Sequence, residues 1–199
     1  MSRSLNIKGT TREIFQISAS KSFPLGTRMH IPGGRVFRYA RATSTAIAVG
    51  RVVQAPYIYQ GLREIAVNAD VYTTGTNNEY VDLVVLSNSV AIGLDEFEDG
   101  VLIVTDGSGA GHVYGVTSSE RFQAGSSTMR VYLDAKVAVN LLSSTSRVSL
   151  VKNRFRDVEI SKSATYRTQI VGVTPIAVTS SYYFWAATDG PCAVLQQDT

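Results

Sequence analysis

Apolar and polar residues alternate over most of this chain. The pattern is clear in "RVFRYAR" (35–41) and "IAVGRVVQ" (47–54). It returns in "EIAVNADVYTT" (64–74), "EYVDLVVL" (79–86), "GVLIVTD" (100–106), "GHVYGVT" (111–117) and "TMRVYLDA" (128–135). "RVSLVKN" (147–153), "RTQIVGVT" (167–174), "SYYFWAAT" (181–188) and "PCAVLQ" (191–196) complete the series. Side chains on a strand point to opposite faces with period two, so each run predicts a strand with one buried face. The runs are rich in Val, Ile, Tyr and Thr and end at Gly, Asn, Asp or Ser. Turn signals recur about every 8–12 residues, the spacing of sandwiches and barrels. "TTGTNNEY" (73–80), "TDGSGAGH" (105–112) and "FQAGSSTMR" (122–130) predict hairpin tips, where glycine supplies positive φ.

Helical patterning is scarce. "ARATSTAIAVGRVVQA" (40–55) has enough alanine for one or two turns, and "LDAKVAVNLLS" (133–143) for a short helix. No repeat and no Pro- or Ser-rich linker divides the chain. The prediction is therefore a mainly β protein. One antiparallel β-sandwich or barrel-like domain spans 21–199, preceded by an extended N-terminal arm over 1–20. That arm carries sparse apolar residues, Leu5, Ile7, Ile14, Phe15 and Ile17. It cannot form a core alone, so it either frays or lies across a neighbouring subunit.

Charge changes this picture. Up to Arg63 there are ten Lys and Arg against the single acid Glu13, a net +9. The remainder carries nine against fifteen, −6, and the whole chain +3. The basic third is expected to meet different surroundings from the rest, either an acidic protein surface or nucleic acid. The densest basic stretch is "SFPLGTRMHIPGGRVFRYAR", Ser22 to Arg41, with four arginines and no acid. Pro32-Gly33-Gly34 turns a hairpin in it. Phe37 and Tyr39 are expected to pack inward. Arg35, Arg38 and Arg41 then point toward a partner's carboxylates, which a guanidinium fork can grip with two bonds.

Candidate chemistry is thin. Of 199 residues only Cys192 is a cysteine, and only His30 and His112 are histidines. No disulfide framework, cysteine zinc site or His-activated nucleophile can be assembled from these. Cys192 reads as a small buried residue. "DGSGAGH" lacks the Lys-Ser/Thr of a phosphate loop and lies between strands. "DEFEDG" (95–100) has the wrong spacing for calcium and reads as a solvated acidic loop, able to face a neighbour's basic residues. "VKNRFRD" (151–157) is basic and carries an aromatic, but matches no nucleic-acid module. No cofactor, metal, membrane or direct nucleic-acid partner is expected. The opening residues lack an apolar stretch, so no secretory leader is expected either.

"SYYFW" sets Tyr182, Tyr183, Phe184 and Trp185 in a row. Two of these rings must face away from the core side. They are expected beneath another sheet of this chain or against a second chain. The candidate interface residues are thus Arg28, Arg35, Arg38 and Arg41 on the hairpin, Leu5, Ile7 and Phe15 in the arm, and Tyr182, Tyr183 and Trp185 in the aromatic run.

"FPLGTRMHIPGGRVFRYARA" followed by "AIAVGRVVQAP" resembles a pattern in structural proteins of tailed bacteriophages. "EFEDGVLIVTDGSGAGHVYGV", "STSRVSLVKNRFRDV" and "GVTPIAVTSSYYFWAATDGPCAVL" are similar to later parts of the same proteins, in the same order. The resemblance covers most of the chain after Ser20. It implies a virion structural protein of the capsid decoration or cement type, made in the host cytoplasm and carried on the capsid exterior. Such a protein is non-enzymatic. It clamps the major capsid protein, commonly as a homotrimer, and gains from many modest contacts on a lattice. Two alternatives stay open: a tail, neck or fibre component, including a carbohydrate-binding one, and a polysaccharide hydrolase with a carboxylate pair.

Overall fold

The alternating runs are strands in the computed structural model, which describes residues 6–56, 62–74, 78–85, 91–123, 126–161 and 168–195. The first four are β1 (Asn6–Lys8), β2 (Arg28–His30), β3 (Val36–Arg41) and β4 (Val52–Gln54). Six follow: β5 (Ile65–Ala66), β6 (Tyr80–Val84), β7 (Val101–Asp106), β8 (Val113–Ser119), β9 (Thr128–Leu133) and β10 (Arg147–Val151). The last are β11 (Glu159–Ile160), β12 (Ile170–Val173) and β13 (Tyr183–Asp189). A 3-10 turn spans Glu13–Phe15. The two alanine-bearing stretches are not helical. Ile47 and Leu141 within them form bridges to Val178 and Val71 instead. Their β-branched residues suit extended backbone better than a helix. Residues 191–195, expected as part of a strand, are not one either.

The single domain expected over 21–199 is built as two units. One is Ile58–Asn153, and the other joins Arg3–Tyr57 to Arg154–Thr199. No linker composition marks the division because the first unit is inserted into the second. Charge follows it. By sequence the inserted unit has six Lys and Arg against eleven Asp and Glu, −5, and the other thirteen against five, +8. They are called the acidic and the basic unit below.

The acidic unit's sheet has the order β5-β10-β7-β8-β9-β6, and all its neighbours are antiparallel. Just past β5, Val67 bridges Leu83 of β6, and the Asn68 N–H donates to the Asp82 carbonyl at 2.7 Å. The sheet thus curls back toward its first strand, barrel-like. Leu83, Leu102, Val116, Val131 and Val148 fill it. Each such side chain gains roughly 1.5–3 kcal/mol from burial. The β7–β8 tip is "DGSGAGH", as its glycines predict. A Cβ on Gly107 (φ +76°) would come within 2.6 Å of the Thr145 carbonyl oxygen, so only glycine fits there.

The basic unit's sheet has the order β1-β2-β3-β13-β12-β4-β11, antiparallel except for β1 with β2. A parallel bridge, Ala42 with Val158, ties the end of β3 to the start of β11. Strands β3, β13, β12, β4 and β11 therefore also turn back on themselves, with β1 and β2 as an outer flange. Ala40, Val53, Val158, Phe184 and Ala186 are fully enclosed. On the opposite face of β3 and β13 lie Phe37, Tyr39 and Trp185, all buried. The N-terminal segment covers that face. Phe23 sits 5.5 Å from both the Tyr39 and Trp185 rings, and Ser18 pairs with the Tyr183 backbone. The arm, from Asn6 onward, is thus docked on its own unit.

Candidate docking site

The site begins with a cross-strand register. β2 sets Arg28 directly opposite Arg38 of β3. Like charges so placed repel. Arg38 is held by other means: its Nη1 donates to the Gly26 carbonyl at 2.8 Å, and its guanidinium lies 5.6 Å from the Phe155 ring centre. Arg154 reaches the same ring, at 4.9 Å. Phe155 itself is buried. Among the described residues, Arg28, Arg38 and Arg154 have no carboxylate within ion-pair distance. Partial burial, then repulsion from Arg154 and Arg28, lowers the Arg38 pKa from the ordinary arginine value.

Arg38 and Arg154 open onto the first of two adjoining depressions of the basic unit, and Arg35 onto the second. The first, about 330 Å³, is lined by Arg38, Arg154, Phe155, Ile170, Thr188 and Asp189 among others. The second, about 610 Å³, is lined by Phe15, Arg35, Phe37, Val49, Pro175 and others. They share Val173, Ala187 and Cys192. Their apolar rim is unusually open: Phe15 is 50% exposed, Val49 45% and Ile170 52%. Cys192 is exposed, not buried as its sequence context suggested. It follows Pro191 in an irregular segment, so no second strand covers it.

Of the residues expected at an interface, the structure brings Phe15, Arg35 and Arg38 to these depressions, with Arg28 beside them. Phe37 and Tyr39 pack inward as expected. Arg41 is turned to its own unit: Nη1 meets Asp157 at 2.6 Å, and Nε donates to the Ser181 carbonyl. Trp185 is only 5% exposed and lies beneath Phe23, so it is not a surface residue. Tyr183 is half-buried and stacks on Tyr39 at 5.6 Å, and Tyr182 is half-buried against the same core. Ile7 is half-buried in β1. Leu5 lies outside the described residues. Arg154 lies in "VKNRFRD", whose basic charge and aromatic by themselves single out no partner. Val49 and Ile170 carried no sequence signal, since an alternating strand does not reveal which face is left uncovered.

Elsewhere the ionic groups are structural. Glu96 of "DEFEDG" pairs with Lys152 at 3.0 Å, and Asp95 accepts from the Ser118 hydroxyl at 2.6 Å. Phe97, between them and Asp99, is buried in the acidic unit's core. His112 Nδ1 lies 3.2 Å from the Tyr114 hydroxyl, and His30 ends β2 exposed. Among the described residues no three His, Cys, Asp or Glu side chains are grouped to hold a metal ion. No protein-family model matches the chain, and no curated protein or solved structure matches it.

Proposed function

We propose that this chain is a non-enzymatic structural protein of a tailed-phage virion. It sits on the capsid exterior and stabilises the head by bridging major capsid proteins, as a homotrimer assembled in the host cytoplasm. The observation that carries this reading is the division of charge between two β units of one chain, +8 and −5. Two folded modules of opposite sign offer two chemically different faces, which suits bridging. The ordered motifs that resemble phage structural proteins support the same reading. So does the arginine-lined, apolar-rimmed surface, which is equipped for protein contact.

The test is direct. Purified protein is mixed with expanded empty heads that lack it, the heads are sedimented, and the bound fraction is measured. Binding should saturate at a fixed ratio to the major capsid protein, with trimers in the free pool. It should weaken on raising salt, because the screening length falls from about 8 Å at 0.15 M to about 3 Å at 1 M. Absence of co-sedimentation would overturn the capsid reading in favour of a tail, neck or fibre component.

A further inference from the structure

We infer that the two adjoining depressions of the basic unit are one docking site for an extended, acidic segment of the partner protein. Its apolar side chains rest on Phe15 and Val49, and its carboxylate meets Arg38 and Arg154. This inference rests on the proposal that the chain works by binding another protein.

Charge complementarity selects the occupant. Two guanidiniums line the smaller depression against one carboxylate, Asp189, whose Oδ1 already accepts the Gly190 N–H at 2.8 Å. The lining therefore keeps one positive charge in excess, with Arg28 adding to it from β2, directly opposite Arg38. That excess suits a single carboxylate, and a guanidinium fork matches carboxylate geometry. A nucleic-acid strand would want an open aromatic face for stacking. Among the described residues the ring between these arginines, Phe155, is 4% exposed and flanked by Arg38 and Arg154, and the open ring, Phe15, lines the other depression with Val49 and Pro175, an apolar setting that suits a side chain. A purely ionic ligand would leave Phe15, Val49 and Ile170 in water. A polypeptide that alternates apolar and acidic residues satisfies both depressions at once.

Cys192 provides the readout, because it is the only cysteine of the chain and lines both depressions. The rate of its alkylation by iodoacetamide is measured with and without an extended peptide alternating leucine and glutamate. The glutamine counterpart serves as control. The glutamate peptide should slow alkylation about tenfold more than the glutamine peptide, the effect of one charge-assisted contact. Arg154→Gln, at an exposed side chain, should abolish that difference; Arg38→Gln should do the same where its circular dichroism is unchanged. Empty heads should protect Cys192 as the peptide does.

Equal protection by both peptides, or none, overturns the site whatever the heads do. Heads that bind while Cys192 stays reactive overturn this site as the contact and leave the capsid proposal standing. Protection by the glutamate peptide without head binding upholds the site and refutes the capsid proposal. Self-association that Arg154→Gln abolishes would give the site to the acidic unit of a second copy and overturn the partner named here.

Discussion

In the acidic unit, β6 sets Asp82 opposite Arg130 of β9; in the basic unit, β2 sets Arg28 opposite Arg38 of β3. The first pair closes two bonds, at 2.7 and 2.9 Å, and Arg130 also lies 4.0 Å from the Tyr80 ring centre. The Asp82 carboxylate pushes the Arg130 pKa further up. The second pair is two cations with no carboxylate between them. Both are antiparallel cross-strand pairs in sheets that turn back on themselves, so architecture does not explain the contrast. One register serves its own unit's stability. The other carries a repulsion of a few tenths of a kcal/mol or more, which the carboxylate of the docking segment proposed above would relieve.

Each unit has its own core, and the largest expected effect tests whether each loosens on its own. Phe97→Ala empties a fully buried position of the acidic unit, and Phe184→Ala one of the basic unit. Each should destabilise its unit by about 3–5 kcal/mol. Hydrogen exchange should show Phe97→Ala accelerating the amides of Val81 and Val131 far more than those of Ser18 and Tyr183. Phe184→Ala should do the reverse. Equal acceleration in both sheets under either substitution would mean that the two cores open as one cooperative block.

A smaller effect concerns the segment that covers the basic unit. Trp185 is the only tryptophan, so its emission reports on that unit alone. Phe23→Ala removes the ring 5.5 Å from it. Emission should shift to the red, with a loss of about 1–3 kcal/mol, because Phe23 is only partly buried. Emission that stays blue would mean the N-terminal segment does not shield that face in solution.

Much of this architecture was legible in the chain. Period-two alternation marked β6, β7, β8 and β9, because each has one buried face and one more open face; β3, β10 and β13 are buried on both faces and were marked by their β-branched and aromatic residues instead. The short strands were not legible at their true lengths. "IAVGRVVQ" is a strand only over Val52–Gln54, since Gly50 adopts φ +70° and breaks the run. The insertion of one unit into the other was invisible, because strand spacing is the same on both sides of the crossing points. The charge gradient did show in the sequence, yet only the structure adds Arg154 to Arg28 and Arg38. Which arginine faces outward depends on Asp157, which is 116 positions from Arg41 along the chain.

That pairing sets the next prediction. Arg41→Ala should cost the basic unit about 1 kcal/mol, since the Arg41–Asp157 bridge is only partly buried. Arg154→Ala, with no carboxylate to lose, should leave stability within about 0.5 kcal/mol. Urea melts followed at Trp185 separate the two. If Arg154→Ala proved the more costly, the division between internal and outward arginines would be wrong.

The smallest effect belongs to the acidic unit alone. Asp70 accepts bonds from the Ser143 N–H and hydroxyl, both at 2.7 Å, and from the Tyr72 hydroxyl at 3.0 Å. These bonds, the Ser143 N–H first, hold its pKa below the usual 3.8. A carboxyl depressed by folding binds its proton less readily in the native state. Its contribution is therefore complete above the ordinary value and disappears as pH falls through the lowered one. Exchange at the Ser143 amide, referred to intrinsic rates, should be level above about pH 5 and rise below about pH 4 as the carboxylate is neutralised. Asp70→Asn should flatten that rise. A rise that persists in Asp70→Asn would show that acid loosens this turn by another route, and the Asp70 carboxylate would no longer count among the acidic unit's internal pairings.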